Sequence, residues 1–331
     1  MRLSSPVSRT FVLLLTLLLS LAHAHPALAI PIDPGLSCAF AITNIDFGAV
    51  NVFAGSQYTT GTLSIDCKKG RAYSWVTICP NLEYGTGDGN ANAWNPRLMA
   101  HTTNSSQKLN YQLYHPGQAK IWGSYYWSHP PRPPVLQYQL NGAGQGSWNV
   151  TIDARLFSGQ TTALPGQYLS SFAGNDVRIA YKSGKSSNCS FPLDIESPSF
   201  NVTATVEEFC DVSATDLDFG TAGLLDANID TTGTISVRCT TGTDYRVGLN
   251  GGLAGAGAPD QRRMSNGASS VRYGIYRDAA RTQGWGDAPG NSVSGIGNGN
   301  FQNYTTYGRV FPQASPPPGV YTDTIVVTVD Y

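Results

Sequence analysis

A stretch of 30 residues bracketed by cysteines occurs twice in this chain, 172 positions apart. Residues 38–67 read "CAFAITNIDFGAVNVFAGSQYTTGTLSIDC" and residues 210–239 read "CDVSATDLDFGTAGLLDANIDTTGTISVRC". The two align without a gap and 11 of 30 positions are identical, which marks a duplicated unit. Asp46-Phe47-Gly48 matches Asp218-Phe219-Gly220, and Thr59-Thr60-Gly61-Thr62 matches Thr231-Thr232-Gly233-Thr234. Leu63, Ser64 and Ile65 then match Ile235, Ser236 and Val237 in the alternation of a half-buried strand. Later landmarks recur: Arg97-Leu98-Met99 corresponds to Arg263-Met264, Tyr111-Gln112-Leu113-Tyr114 to Tyr273-Gly274-Ile275-Tyr276, Trp122 to Trp285, and the "PGQY" ending at Tyr168 to the "PPGVY" ending at Tyr321. Whatever fold this sequence specifies, it specifies two copies of it.

Only 13% of the 331 residues are charged, while 36 glycines and 20 prolines punctuate the chain. No long amphipathic helical pattern appears, so each copy reads as short strands joined by turns, an all-β fold. At the start, Arg2 and Arg9 precede an apolar run over residues 11–21, and small residues flank cleavage points after Ala24 and Ala29. This is the pattern of a secretory signal peptide over residues 1–29, and its apolar run is too short for a bilayer span. The expected division is a first domain at residues 30–181, a linker at 182–198 and a second domain at 199–331. Loss of Arg2 and Arg9 from the 21 basic residues leaves 19 against 22 acidic ones, a net charge near −3. That balance argues against a nucleic-acid partner.

All six cysteines lie in the exported part, where an oxidising compartment favours disulfides. Six cysteines allow 15 connectivities, and equivalence between the copies favours Cys38–Cys67 and Cys210–Cys239. Cys79 and Cys189 remain and are paired by exclusion, tying the interior of the first domain to the segment that leaves it.

The second half resembles the spore coat protein U domain, the pilin-type fold of archaic chaperone–usher pili. The motifs that carry the resemblance are "CDVSATDLDFG", "TTGTISVRC", "VRYGIYRDAARTQGWGD" and the terminal "PPPGVYTDTIVVTVDY", covering nearly all of residues 199–331. Residues 36–181 resemble the same domain more weakly, keeping the cysteine pair and "DFG" and diverging in the loops. A two-domain member with a divergent first half is similar to the tip adhesin of such a pilus. The resemblance implies two immunoglobulin-like β-sandwiches in tandem, the C-terminal one lacking its last strand. It also implies a periplasmic chaperone, an outer-membrane usher and an adjacent pilin subunit as partners, with export through the periplasm to the cell surface.

The residues add to this expectation. Tyr321, Asp323, Ile325, Val327, Val329 and Tyr331 fall on one face of a strand with which the sequence ends, and an uncovered strand edge needs a partner. Before Cys38 the exported chain holds only "IPIDPGLS", a poor strand to donate to a neighbour, which points to a terminal place in the pilus. In "PSFNVTATVEEFC", by contrast, Phe200, Val202, Ala204 and Val206 alternate cleanly. They read either as an internal donor strand for the first domain or as the second domain's own first strand.

An enzyme is not expected. His101, His115 and His129 are the only histidines outside the signal peptide, and none has metal-ligand spacing; no nucleophile elbow or phosphate loop occurs, and no cofactor or metal is implied. Contact residues are sought instead among aromatics on loops. "KIWGSYYWSHPPRPPVLQYQ" at 120–139 sets Trp122, Tyr125, Tyr126, Trp127 and Tyr138 around four prolines, which exclude a helix interior or central strand. Trp122 has its counterpart in Trp285 and reads as structural. Phe53, Trp94, Tyr125, Tyr126 and Trp127 are the expected surface-binding residues, on loops 50–54, 92–96 and 121–127 that should converge away from the second domain. The expected activity is attachment to abiotic or host surfaces and biofilm formation. Carbohydrate binding and a non-adhesive coat or pilus role are the alternatives.

Overall fold

The computed structural model describes residues 35–87, 96–117, 120–189 and 194–331. The signal segment and Trp94 lie outside the described residues. Within them the chain is all-β, in two sandwiches with separate cores.

The first sandwich is built from β1 (Ser37–Ile42), β2 (Ile45–Val50), β3 (Gln57–Lys68), β4 (Trp75–Leu82), β5 (Arg97–His101), β6 (Lys108–Tyr114), β7 (Leu136–Gln139), β8 (Gly146–Leu156), β9 (Gly166–Phe172), β10 (Val177–Ser183), β11 (Asp194–Glu196) and β12 (Phe200–Val206). One sheet runs β1-β3-β8-β6-β5-β9-β12-β2 and the other β11-β10-β4-β7. The second sandwich holds β13 (Cys210–Ala214), β14 (Ile229–Cys239), β15 (Asp244–Leu249), β16 (Arg262–Asn266), β17 (Ser269–Tyr276), β18 (Val293–Ile296), β19 (Gln302–Val310) and β20 (Val327–Asp330). Its sheets run β13-β14-β19-β17-β16 and β18-β15-β20.

The repeat motif folds alike in both. In β3, Gly61, Leu63, Ile65 and Cys67 point inward while the intervening Thr and Ser residues and Asp66 face outward; Ile235, Val237 and Cys239 are buried in β14. Cys38 stands directly opposite Cys67 and Cys210 opposite Cys239. The bridges are Cys38–Cys67, Cys79–Cys189 and Cys210–Cys239.

β2, β9, β11 and β12 have no counterpart among the strands described in the second sandwich. β12 lies between β9, to which it is antiparallel, and β2, to which it is parallel. Its alternation is fully used: Phe200, Val202, Ala204 and Val206 are all buried in the first core. Phe200 stacks on Phe172 with ring centroids 4.6 Å apart. Val202 sits opposite Ser170 on one side and Ile45 on the other. The packing therefore divides the chain at residues 207–209. Segment 182–198 carries the end of β10 and then β11, which adds to the same sheet. The alternating face of β12 lies in the first core.

In the second sandwich the matching slot is open. Residues 215–223, equivalent to β2 and its approach, and residues 319–325, equivalent to β9, pair with no strand between them. Leu217 is half-buried where Ile45 is fully buried. Two cavities of about 530 Å³ each run along the gap, sharing Leu217, Phe219, Met264 and Tyr321. The tyrosine that ends "PGQY" or "PGVY" turns the chain identically at both places: Tyr168 Oη donates to the Leu164 carbonyl at 2.9 Å and Tyr321 Oη to the Pro317 carbonyl at 2.8 Å.

Val202 lies in the centre of the slot, so its substitutions report on the strand's contribution. Val202→Ala is expected to cost about 2 kcal/mol through the cavity it leaves, and Val202→Asp about 4 kcal/mol or more through an unpaired buried charge. Thr205→Ser, on the outward face of the same strand, should stay within about 0.5 kcal/mol. Urea unfolding of the purified chain measures all three.

Candidate functional site

The aromatic segment after β6 is held from beneath by a buried arginine. Arg97 is wholly buried; its Nε donates to the Glu83 carbonyl at 2.7 Å, and its Nη2 donates to the carbonyls of Leu82 at 2.8 Å and Trp122 at 2.7 Å. A third nitrogen donates to Gln112 Oε1. The indole of Trp122, also buried, donates to the Pro80 carbonyl at 2.7 Å. The second sandwich repeats this unit. Arg262 donates to the carbonyls of Leu249, Asn250, Pro259 and Trp285, and the Trp285 indole donates to the Val247 carbonyl. The counterpart of Arg97 is thus Arg262, one residue before the Arg263 that the sequence comparison selects. Strand parity carried the signal: Arg97 pairs with Tyr111 and Arg262 with Tyr273, each with a methionine two residues on.

Beyond Trp122 the chain folds back on itself. Arg132 donates to the carbonyls of Ser124 at 3.0 Å and Trp127 at 2.7 Å. The Tyr125 amide donates to Asn81 Oδ1 at 2.8 Å, and Ser124 Oγ donates to Glu83 Oε1. Glu83 in turn pairs with Arg178 at 3.2 Å. Burial pushes the nearby Asp176 carboxyl above its usual range, and the negative charge of Glu83 adds to that shift.

This scaffold sorts the three adjacent rings. Trp127 is only 5% exposed; it stacks on Tyr84 at 5.0 Å and lies over the Arg97 guanidinium at 5.5 Å. Its expected place in a surface contact is therefore corrected: it is a packing residue, buried because Tyr84 and Arg97 form a slot for it. Tyr125 is half-buried over Arg132 at 5.6 Å. Tyr126 is 47% exposed, its ring 3.3 Å from the Arg178 guanidinium.

Phe53 does not join this group. It is half-buried, 6.1 Å from Phe209 and 4.3 Å from the guanidinium of Arg238. Arg238 also lies 4.6 Å from Phe301 and pairs with Asp211. Phe53 thus packs at the junction with the second sandwich, where Thr241 Oγ1 donates to the Thr161 carbonyl at 3.0 Å. Loops 50–54 and 121–127 sit at opposite ends of β12: Val206 pairs with Val50, while Thr86, two residues beyond Tyr84, donates to Ser171 beside the start of β12. They do not converge, because β2 carries its following loop toward residues 207–209. Loop 92–96 lies almost wholly outside the described residues.

Tandem immunoglobulin-like sandwiches, one closed by a strand from the start of the next unit and one open along the same edge, define a two-domain chain of the pilin type. The chain belongs to the spore coat protein U domain family, which matches residues 29–174 and 197–328. The second match begins before β12, so the strand that completes the first sandwich belongs by sequence to the second unit. The chain is similar to Protein U of Myxococcus xanthus, at 34% identity over 106 residues, 30% of this chain; it spans 59% of that protein's length. Among solved structures it is similar in fold to a chain of the chaperone–tip adhesion subunit pre-assembly complex of archaic chaperone–usher Csu pili of Acinetobacter baumannii. The TM-score is 0.54 at 16% identity, covering 89% of this chain and 100% of that one. The CupB6 tip adhesin of Pseudomonas aeruginosa aligns at a TM-score of 0.38 and 12% identity, over 89% of this chain and 94% of that one.

Trp127→Ala is expected to lower stability by about 3 kcal/mol, as loss of a buried ring does. Tyr126→Ser should cost no more than about 1 kcal/mol, the scale of an exposed cation–π contact. Chemical denaturation of the two variants separates the packing ring from the displayed one.

Proposed function

We propose that this chain is the tip subunit of a chaperone–usher pilus, whose second sandwich accepts a strand from the next subunit and whose first sandwich carries the surface contact. The observation that supports it is the pair of equivalent slots, one filled by β12 and one open. A chain with one filled slot and one open slot can be capped onto a row of strand-donating subunits. The open slot also supplies a reason for a chaperone: half-buried Leu217, Ile325, Val327 and Val329, with Val320 81% exposed, form an apolar edge that invites aggregation until a strand covers it. The relative of similar fold is itself a tip adhesion subunit in complex with its chaperone.

The contact is assigned to Tyr126 and Tyr125, at the end of β12 away from the second sandwich. An exposed ring (Tyr126) and a half-buried one (Tyr125), each fixed on a guanidinium group, lose little side-chain entropy on binding and present an apolar face. The role is binding and not catalysis. Attachment to a surface is the event that would begin a biofilm.

The double variant Tyr125→Ser/Tyr126→Ser should assemble into pili normally and lose most of its attachment to polystyrene in a crystal-violet assay. Undiminished attachment would sink the aromatic-contact reading, and competition by free sugars would turn it toward a carbohydrate ligand.

A further inference from the structure

The two slots differ at one position in a way that selects the strand each can hold. In the first sandwich, β12 places Val202 opposite Ser170, a small residue whose buried Oγ has no hydrogen-bond partner among the described residues. The PGQY and PGVY turns fix the correspondence with the second slot: Tyr168 matches Tyr321, so Ser170 matches Asp323 and Phe172 matches Ile325. The paired strands agree, since Tyr111 opposite Arg97 and Leu156 matches Tyr273 opposite Arg262 and Val310.

Asp323 and Tyr273 both line the open slot. Tyr273 Oη donates to Asp323 Oδ2 at 2.6 Å, and the Leu253 amide donates to Oδ1 at 2.8 Å. Burial holds the Tyr273 hydroxyl well above its usual pKa, and the hydrogen bond to the carboxylate adds to this. The neighbour of Val202 that is small and uncharged in the first slot is therefore part of a tyrosine–carboxylate pair in the second. An aliphatic side chain laid over that pair strips water from a carboxylate and returns no hydrogen bond. A hydroxyl or amide at the same place replaces the water.

We infer that Asp323 is a specificity-determining residue of the open slot. It favours an incoming strand with Ser, Thr or Asn at the position equivalent to Val202, and it disfavours the chain's own 200–206 sequence. This rests on the strand-accepting role proposed above. Discrimination of this kind works by penalising the wrong partner: β12 of one copy, the nearest alternating strand at hand during export, is kept out of the second slot of another.

The test attaches strands after Tyr331 of the full chain through a short glycine linker. One copies residues 198–208 and the other carries Val202→Ser within that copy. The serine strand should give a soluble monomer without chaperone whose unfolding midpoint lies about 5 °C above that of the valine strand, the shift expected for roughly tenfold tighter occupancy. In an Asp323→Asn background, which keeps the side-chain shape and removes the charge, the difference should shrink. Equal midpoints for the two strands in the unaltered chain would overturn the role of Asp323 while leaving strand acceptance intact. Failure of both strands to yield a soluble monomer would overturn strand acceptance itself.

Discussion

The insertion of β12 between β9 and β2 is the contact on which the first sandwich depends. A sheet edge left with free amides and carbonyls over an apolar core is unstable in water. β12 satisfies both edges at once, and its inward face adds a phenylalanine, two valines and an alanine to the core. Only residues 207–209 then separate the last residue of β12 from the first of β13. The second sandwich thus follows directly on a strand paired on both sides in the first. Phe53, Phe209, Arg238 and Phe301 cluster around that short joint.

Within each sandwich a second device recurs: a buried arginine that gathers backbone carbonyls from separate segments and fixes a tryptophan loop over the core. A guanidinium with five donors can satisfy several carbonyls that no strand pairs, and burying it is tolerable because those bonds are made. Burial holds the pKa of Arg262 below its usual value, with Tyr273 and Asp323 opposing the shift. In the first sandwich the same arginine supports the slot of Trp127, so the fold's packing unit also positions the displayed Tyr126. That ring is presented by a rigid surface, its backbone tied to Ser124 and its face set on Arg178.

The all-β character, the duplication and the three disulfides are legible in local signals: period-2 alternation, a gapless cysteine-bracketed repeat and exclusion among six cysteines. The family is legible only in the motifs of the second half that resemble it. The sequence also marks Phe200, Val202, Ala204 and Val206 as an apolar strand face, since alternation is a property of the strand alone. Which core that face fills is set in three dimensions, because both sandwiches offer a slot of the same kind and the choice depends on which neighbouring edges are open. Tertiary structure likewise decides the fate of adjacent rings. Tyr126 and Trp127 are indistinguishable as aromatic residues in a proline-dense loop, and what separates them is Tyr84, Arg97 and Arg178, brought in from strands or segments distant in the chain. Phe53 reads from the sequence as a display residue for the same reason: the residues that cover it, Phe209 and Arg238, lie more than 150 positions away. Long-range packing sets exposure, and a linear pattern carries no record of it.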